Sequence, residues 1–348
     1  MNRPAPIQAV TIRDVAREAG VSVASVSRAL NGLANVTPGT RELILSAAAK
    51  LRYVPHTAAR ALSTRRTDTI GVVLPDLYGE FFSEVIRGAD LAARASGLHL
   101  LVSTSHGDQA EAAAAIRAMR GRVDGLVLMS PYVDEDMLAD NLADDLPTVL
   151  INTRVQARPN AFCIDNYAGA VEVVTHLAAI GGIVAHIAGP EGNYESQERR
   201  RGYRDALGDA EDIVLEGDFT EESGYRAGRR LAEMSERPAA VFAANDAMAI
   251  GCLIALAEKG VEVPRHIAVA GFDDIPIARL IRPSLTTVRT NIADLSRRAL
   301  ERLAATIEGL DQSENVSETV RPQLVVRESS AGREAARKPP NQRGETSL

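Results

Sequence analysis

Tryptophan is absent, and aromatic residues make up only 4% of the 348 residues. With 45% hydrophobic residues the chain can bury a sizeable core, but that core must be built from Ala, Leu, Val and Ile. There are two cysteines, Cys163 and Cys252. Neither lies in a Cys-x-x-Cys pair, and no Cys/His cluster has metal-ligand spacing, so no disulfide framework or zinc site is expected. Both sit in apolar runs, as buried inert thiols do. No stretch approaches the ~20 apolar residues that a membrane span needs. Residues 1–10 lack the apolar run of a secretory signal. Also missing are a phosphate loop, a Gly-x-Ser-x-Gly elbow and a His-Glu-x-x-His pair, while His106, His176 and His186 are isolated. The expectation is a soluble cytoplasmic protein that is not an enzyme and has no cofactor, no metal and no membrane partner.

Charge is present but unevenly placed. The net charge is −7, yet residues 1–66 hold ten Lys/Arg against three Asp/Glu, a balance of +7, which leaves −14 on the remainder. Such asymmetry suits a polyanion-binding head on an acidic body, and equally a solvated basic arm.

The first segment has the punctuation of short helices. Thr11 with Asp14 has capping-box spacing, and Ile12, Val15, Ala16 and Ala19 share one face. Gly20 breaks this helix by taking positive φ. Ser22 caps a second helix that buries Val26 and Leu30 and ends at Asn31-Gly32. Thr37-Pro38 opens a third, with Leu43, Ile44, Ala47, Ala48 and Leu51 as its expected buried face. Ala16 stays small where two helices cross, and Val21 and Val26 fill the wedge between them. Ser22, Ser25, Ser27 and Arg28 project from the second helix. This is the arrangement of a helix entering the major groove while hydroxyls and helix-end amides hold phosphates. A small protein-binding helical domain is the alternative.

Residues 55–66 form a basic, Ala-rich stretch, either a linker or a weak helix. From Thr69 the texture changes to strands near 70–75, 98–104, 125–130, 147–152, 183–189, 239–245 and 267–272, separated by amphipathic helical patterns. Alternation of this kind predicts parallel sheets covered on both faces, with enough units for two of them. Candidate crossovers between lobes lie near 152–166 and 285–292. The polar tail 329–348 reads as disordered.

Residues 11–32, TIRDVAREAGVSVASVSRALNG, resemble the helix-turn-helix of the LacI/GalR family of bacterial repressors. Residues 37–62 are similar to that family's third helix and hinge. The similarity continues through IGVVLPD at 70–76, FFSEVIRG at 81–88, FAANDAMAIG at 242–251 and VAGFDD at 269–274. The resemblance implies an all-α helix-turn-helix head (1–54), a hinge (55–68) and a periplasmic-binding-protein-like α/β body of two parallel-sheet lobes. The first lobe would take 69–163 and 291–319, the second 164–290 and 320–330, with a tail at 331–348. It implies that Val23, Ala24 and Arg28 contact bases, Arg being suited to guanine. Ser22, Ser25, Ser27 and Asn31 would lie near phosphates. Leu62 would wedge into the minor groove beside Ala59. The implied partners are a pseudo-palindromic double-stranded operator and a second copy of the chain. A dimer is expected, because the tail has a single leucine where a tetramerising heptad would need several.

Independently of the family, open α/β sheets bind ligands beyond the carboxyl ends of their strands. Here those positions include Asp76 to Phe82, Ser105-His106, Ser130, Asn152, Glu191 to Arg199, Asn245-Asp246 and Asp273-Asp274. The resemblance narrows the effector contacts to Arg199, Asn245, Asp273 and the aromatic Phe219, with Phe81 or Phe82 facing the cleft from the first lobe. Asn152 stands where relatives often carry an aspartate. Asp246 and Asp274 also read as helix caps, and the arginine run 199–201 as a solvated face. The implied effector is a sugar or sugar derivative acting as inducer, with a purine or nucleoside corepressor as the alternative.

Overall fold

The computed structural model describes residues 10–31, 35–54, 66–142, 145–153, 160–310 and 317–331. The chain divides into two compact units, Met1–Asp68 and Thr69–Leu348.

The first unit contains α1 (Ile12–Ala19), α2 (Val23–Leu30) and α3 (Pro38–Lys50). The carboxylate of Asp14 accepts the backbone N–H of Thr11 at 3.0 Å and its hydroxyl at 2.7 Å. Gly20 follows α1 with φ +65°, a left-handed turn that costs a residue without Cβ little. Ser22 Oγ accepts the N–H of Ser25 at 3.1 Å and caps α2, while Thr37 Oγ1 caps α3 ahead of Pro38. The small core is Val15, Ala16, Val26, Ala29, Ile44, Ala47 and Ala48. Leu43 does not join it, being 61% exposed. The packed stripe of α3 runs through Ile44, Ala47, Ala48 and Leu51, and Leu43 stands one residue, about 100°, off that stripe.

The second unit begins with β1 (Thr69–Leu74), α4 (Glu80–Ala95), β2 (His99–Thr104), α5 (Gln109–Met119), β3 (Gly125–Met129), α6 (Glu135–Asn141), β4 (Thr148–Ile151) and β5 (Ala161–Ile164). It continues with α7 (Asn166–Ala178), β6 (Val184–Ile187), α8 (Tyr194–Leu207), β7 (Ile213–Leu215), α9 (Glu221–Glu233), β8 (Ala240–Ala243), α10 (Asp246–Glu258) and β9 (Ala268–Ala270). It ends with β10 (Thr287–Arg289), α11 (Ile292–Ile307), β11 (Glu318–Val320) and β12 (Gln323–Val325). One parallel sheet has the order β11-β5-β4-β3-β1-β2, and another the order β7-β6-β8-β9; β10 and β12 form a short antiparallel pair. The strands β1, β3, β4, β6, β8 and β9 are almost continuously buried, because helices cover both faces, whereas the edge strands β2, β7 and β11 are only partly buried.

The chain passes between the two large sheets three times: after β5, between β10 and α11, and after β11. The expected break at 152–166 is therefore only partly a crossover. Residues 161–164 are strand β5, paired with β4 and β11, and the passage itself is confined to Asp165 and its neighbours.

Both large sheets share a core rich in aliphatic residues, as the scarcity of aromatics requires. His186 is fully buried, stacked between Tyr203 and Phe242 with centroids 4.8 and 4.9 Å away. Its Nδ1–H donates to the carbonyl of Phe242 at 2.9 Å, and burial pushes its pKa down to about 4, so it is a neutral core residue. Cys252 is buried, its thiol pushed up to about 12 by desolvation; Cys163 is half-buried. No described helix is long and apolar enough to cross a membrane.

Candidate functional site

In the helical unit, α2 presents Val23, Ala24 and Arg28 to solvent, on the side away from buried Val26 and Ala29. Ala24 and Arg28 are four residues apart and so lie above one another on that face. Arg28 makes no ion pair with any described residue. Val23 is 42% exposed, an apolar side chain held out of the core. Ser22 is exposed, with its hydroxyl 2.9 Å from that of Ser25; Ser27 and Asn31 are half-buried, their side chains 3.5 Å apart. The face thus offers one guanidinium, hydroxyls and the first N–H groups of a helix, all suited to an anionic, groove-bearing partner. Ala59 and Leu62 lie outside the described residues.

In the α/β unit, a cavity of about 420 Å³ opens at the carboxyl ends of both parallel sheets. Its wall takes Pro75 and Asp76 after β1, His106 after β2, Tyr132 after β3, Asn193, Glu195 and Arg199 after β6, Phe219 after β7, Asn245 after β8 and Asp273 after β9. In each sheet the strand order reverses at a central pair, β1/β3 in one and β6/β8 in the other. Helices leave such a pair toward opposite faces, which opens a crevice between them.

Arg199, near the start of α8, is 2% exposed. Its Nε donates to Asn166 Oδ1 at 2.8 Å and one terminal nitrogen to the carbonyl of Ala244 at 2.6 Å. The other terminal nitrogen lies 3.4 Å from Asp273 Oδ1 and 3.7 Å from Glu195 Oε1. The guanidinium also stacks on the Phe272 ring, 3.9 Å from its centroid. The arginine is therefore a fixed member of the wall rather than part of a solvated run. Burial pushes the Asp273 carboxyl up to about 7, against the pull of Arg199. Burial likewise raises Glu195, opposed by Arg199 and by the hydrogen bond from Asn152.

Phe219 adopts φ +69°, a left-handed conformation unusual for a bulky side chain, and its ring lies where a Cβ at position 189 would stand, 2.5 Å from the ring carbons. Gly189 therefore makes room for the ring. Positive φ also marks His106, Asn152, Asp273 and Asp274, so uncommon backbone conformations gather around the cavity, as they do at binding sites. Phe81 and Phe82 both line it, their rings edge to face at 5.4 Å, so the choice of one phenylalanine over the other does not arise.

Asn245 lines the cavity, but its amide is in use. Its Oδ1 caps α10 by accepting the N–H of Met248, and its Nδ2 donates to the carbonyl of Phe219. Asn152 is not on the wall. It is buried behind Glu195, donating to that carboxylate at 2.8 Å and accepting the N–H of Ile164 at 3.0 Å. Asp246 is no cap: it accepts from Thr287 and from the N–H of Ile275. Asp274 accepts from Arg289 and Arg327. Tyr132, Asp218, Glu221 and the apolar Ile250, Ile275 and Ile277 complete the wall. Sequence reasoning missed them because they stand beyond strand ends or on helices, with no pattern to mark them.

Residues 11–56 match the family described as bacterial regulatory proteins, lacI family, and residues 174–330 match the periplasmic binding protein-like domain. The chain is 36% identical over 339 residues to the HTH-type transcriptional regulator GalS of Salmonella typhimurium, covering 94% of this chain and 98% of that one. It is 33% identical to the catabolite control protein A of Priestia megaterium (84% and 91% covered) and 31% identical to the transcriptional repressor PurR of Haemophilus influenzae (92% and 98% covered). Among solved structures it is similar to the lac repressor dimer bound to operator and the anti-inducer ONPF, with a TM-score of 0.83, 27% identity and 93% and 99% coverage. It is also similar to the complex of the transcriptional regulator CelR with cellobiose, with a TM-score of 0.67, 31% identity and 92% and 99% coverage.

Proposed function

Because the chain belongs to the LacI family of bacterial transcriptional regulators, we propose that it is a homodimeric repressor released from its operator by a sugar or sugar derivative. The ligand reading is carried by the composition of the cavity wall. Fixed hydrogen-bonding groups, Arg199 and Asp273 foremost, share the wall with the aromatic rings of Phe219 and Tyr132. A pyranose or furanose presents that combination in reverse: hydroxyls around its rim and an apolar face. Cellobiose in CelR is a carbohydrate bound by a structural relative.

In the proposed mechanism each chain places its α2 in one major-groove half-site. Val23, Ala24 and Arg28 meet base edges, while Ser22, Ser25, Ser27 and Asn31 hold the backbone. Ala59 and Leu62 act at the minor groove between the half-sites. Effector contacts are Phe81, Phe82, Arg199, Phe219, Asn245 and Asp273, with Asn152 positioning Glu195 from behind. Glu80, at the start of α4, accepts the N–H of Ile277 at 3.0 Å, linking elements that arise from the two sheets across the cavity mouth. Ligand changes the angle between the sheets and, through it, the spacing of the hinges. A purine or nucleoside corepressor is the second reading, favoured by the similarity to PurR.

The test is a thermal-shift screen of sugars, nucleobases and nucleosides, followed by operator binding with each hit. A ligand of the folded state raises its melting temperature. A sugar hit that weakens operator binding is expected. A hit confined to nucleobases or nucleosides, or one that strengthens operator binding, overturns the inducer reading.

A further inference from the structure

The cavity wall carries six carboxylates, Asp76, Glu80, Glu195, Asp218, Glu221 and Asp273, against one guanidinium, Arg199. Three of the six are exposed and solvated: Asp76, Glu80 and Asp218. Glu195 and Asp273 differ, being 6% and 7% exposed. Both look to the same cation, which already donates to Asn166 and to the carbonyl of Ala244. One oxygen of each is engaged, Glu195 Oε1 by Asn152 and Asp273 Oδ1 by Arg199. The other oxygens, Oε2 of Glu195 and Oδ2 of Asp273, receive no hydrogen bond from a described residue.

When both are ionised, two buried carboxylates and one buried guanidinium leave a negative charge without a counter-ion. Desolvation makes that arrangement costly; in ligand-free protein a proton on one carboxyl relieves it, and a cationic ligand relieves it in the proton's place. That both carboxyls are pushed upward by burial agrees with the deficit. A neutral sugar fills the space and donates hydroxyl hydrogens, but it brings no charge. A protonated amine brings a full charge and up to three donors, and its flanking C–H groups suit the rings of Tyr132 and Phe219 on the same wall.

We propose that the effector is a cationic, amine-bearing sugar whose ammonium group takes the free oxygens of Glu195 and Asp273. This rests on the reading of the cavity as a sugar-effector site. The test is isothermal titration of the full-length protein with three probes of each of the gluco, galacto and manno series: the amino sugar, the neutral sugar and the N-acetylated amino sugar. The pH is held below the pKa of the amine. At least one amino sugar is expected to bind about ten-fold or more tighter than both of its uncharged counterparts, the range of a hydrogen bond to a charged group. Glu195→Gln keeps an acceptor for Asn152 and is expected to shrink that ratio. The N-acetyl controls test the charge on the native protein, whatever the variant's stability. A neutral or N-acetylated sugar binding as tightly as its amine overturns the proposal and leaves the sugar reading standing. Binding of no amino sugar also overturns it. Binding only of nucleobases or nucleosides overturns both.

Discussion

Arg199 holds together what the wall would otherwise push apart. Its neighbours Glu195 and Asp273 are buried carboxylates, and the ring of Phe272 covers one face of its guanidinium. Arg199→Met would keep most of the volume and remove the charge. The expected loss is about 3–5 kcal/mol of folding stability, the usual consequence of leaving a buried charge alone. It would be read as a lower urea midpoint at unchanged slope. An unchanged midpoint would mean that the carboxylates can reach water without it. Asp273 adds a pH dependence. Its carboxyl is pushed from 3.8 to about 7 in the fold, so the folded chain binds a proton that the unfolded chain has released. That contribution is complete below about pH 4 and is lost as pH rises through about 7. Ligand-free protein should therefore lose stability between about pH 4 and 7 more steeply than Asp273→Asn, as urea unfolding at several pH values would record. Parallel curves would show that Asp273 is charged throughout.

At the scale of elements, α1, α2 and α3 are bounded by local chemistry that the sequence displays openly. Ser22, Thr37-Pro38 and Gly20 each have a side chain or backbone requirement that acts within four residues, so their roles were legible before any tertiary contact. Gly20→Ala tests this. No atom lies within 4 Å of the added Cβ, so the cost is the left-handed backbone alone, about 1 kcal/mol. The melting temperature of the protein's DNA-binding unit should fall while operator sequence preference stays as it was. Arg28→Ala should do the opposite: stability is kept, and operator binding falls by about 1–3 kcal/mol with relaxed specificity at one base pair, as fluorescence anisotropy on mutated operators would show. A uniform loss on all sequences would make Arg28 a phosphate contact. The parallel alternation was equally legible at β1 to β4, β6, β8 and β9, whose sequences carry apolar runs. What escaped was short or set by distant partners. β7, β10, β11 and β12 have three residues each, too few for periodicity. β5 exists because β4 and β11 flank it. Leu43 fits the core by type, although its angle on α3 does not. Asn152 fits the wall by its position, yet Tyr132 is the residue that reaches it. Position after a strand suggested the wall, but only the packing around Glu195 decides which side chain reaches it.

At the scale of the whole molecule, charge and sheet connectivity matter most. The basic first segment and acidic remainder predict that DNA affinity falls steeply with salt, log K declining by about 0.9 per log unit for each phosphate neutralised. Effector affinity should change far less, since its contacts are buried. Coupling is reciprocal: the factor by which effector changes operator affinity must equal the factor by which operator changes effector affinity, a comparison that two titrations can make. The three passages between the sheets also impose an order in time. The helices of residues 12–50 come early in the chain, whereas β11, the edge strand beside β5, comes from residues 318–320. A ribosome therefore releases the DNA-reading helices long before the ligand-sensing part has its last strand. A premature stop codon in between would yield a chain with its DNA-reading helices intact and its sensor unfinished.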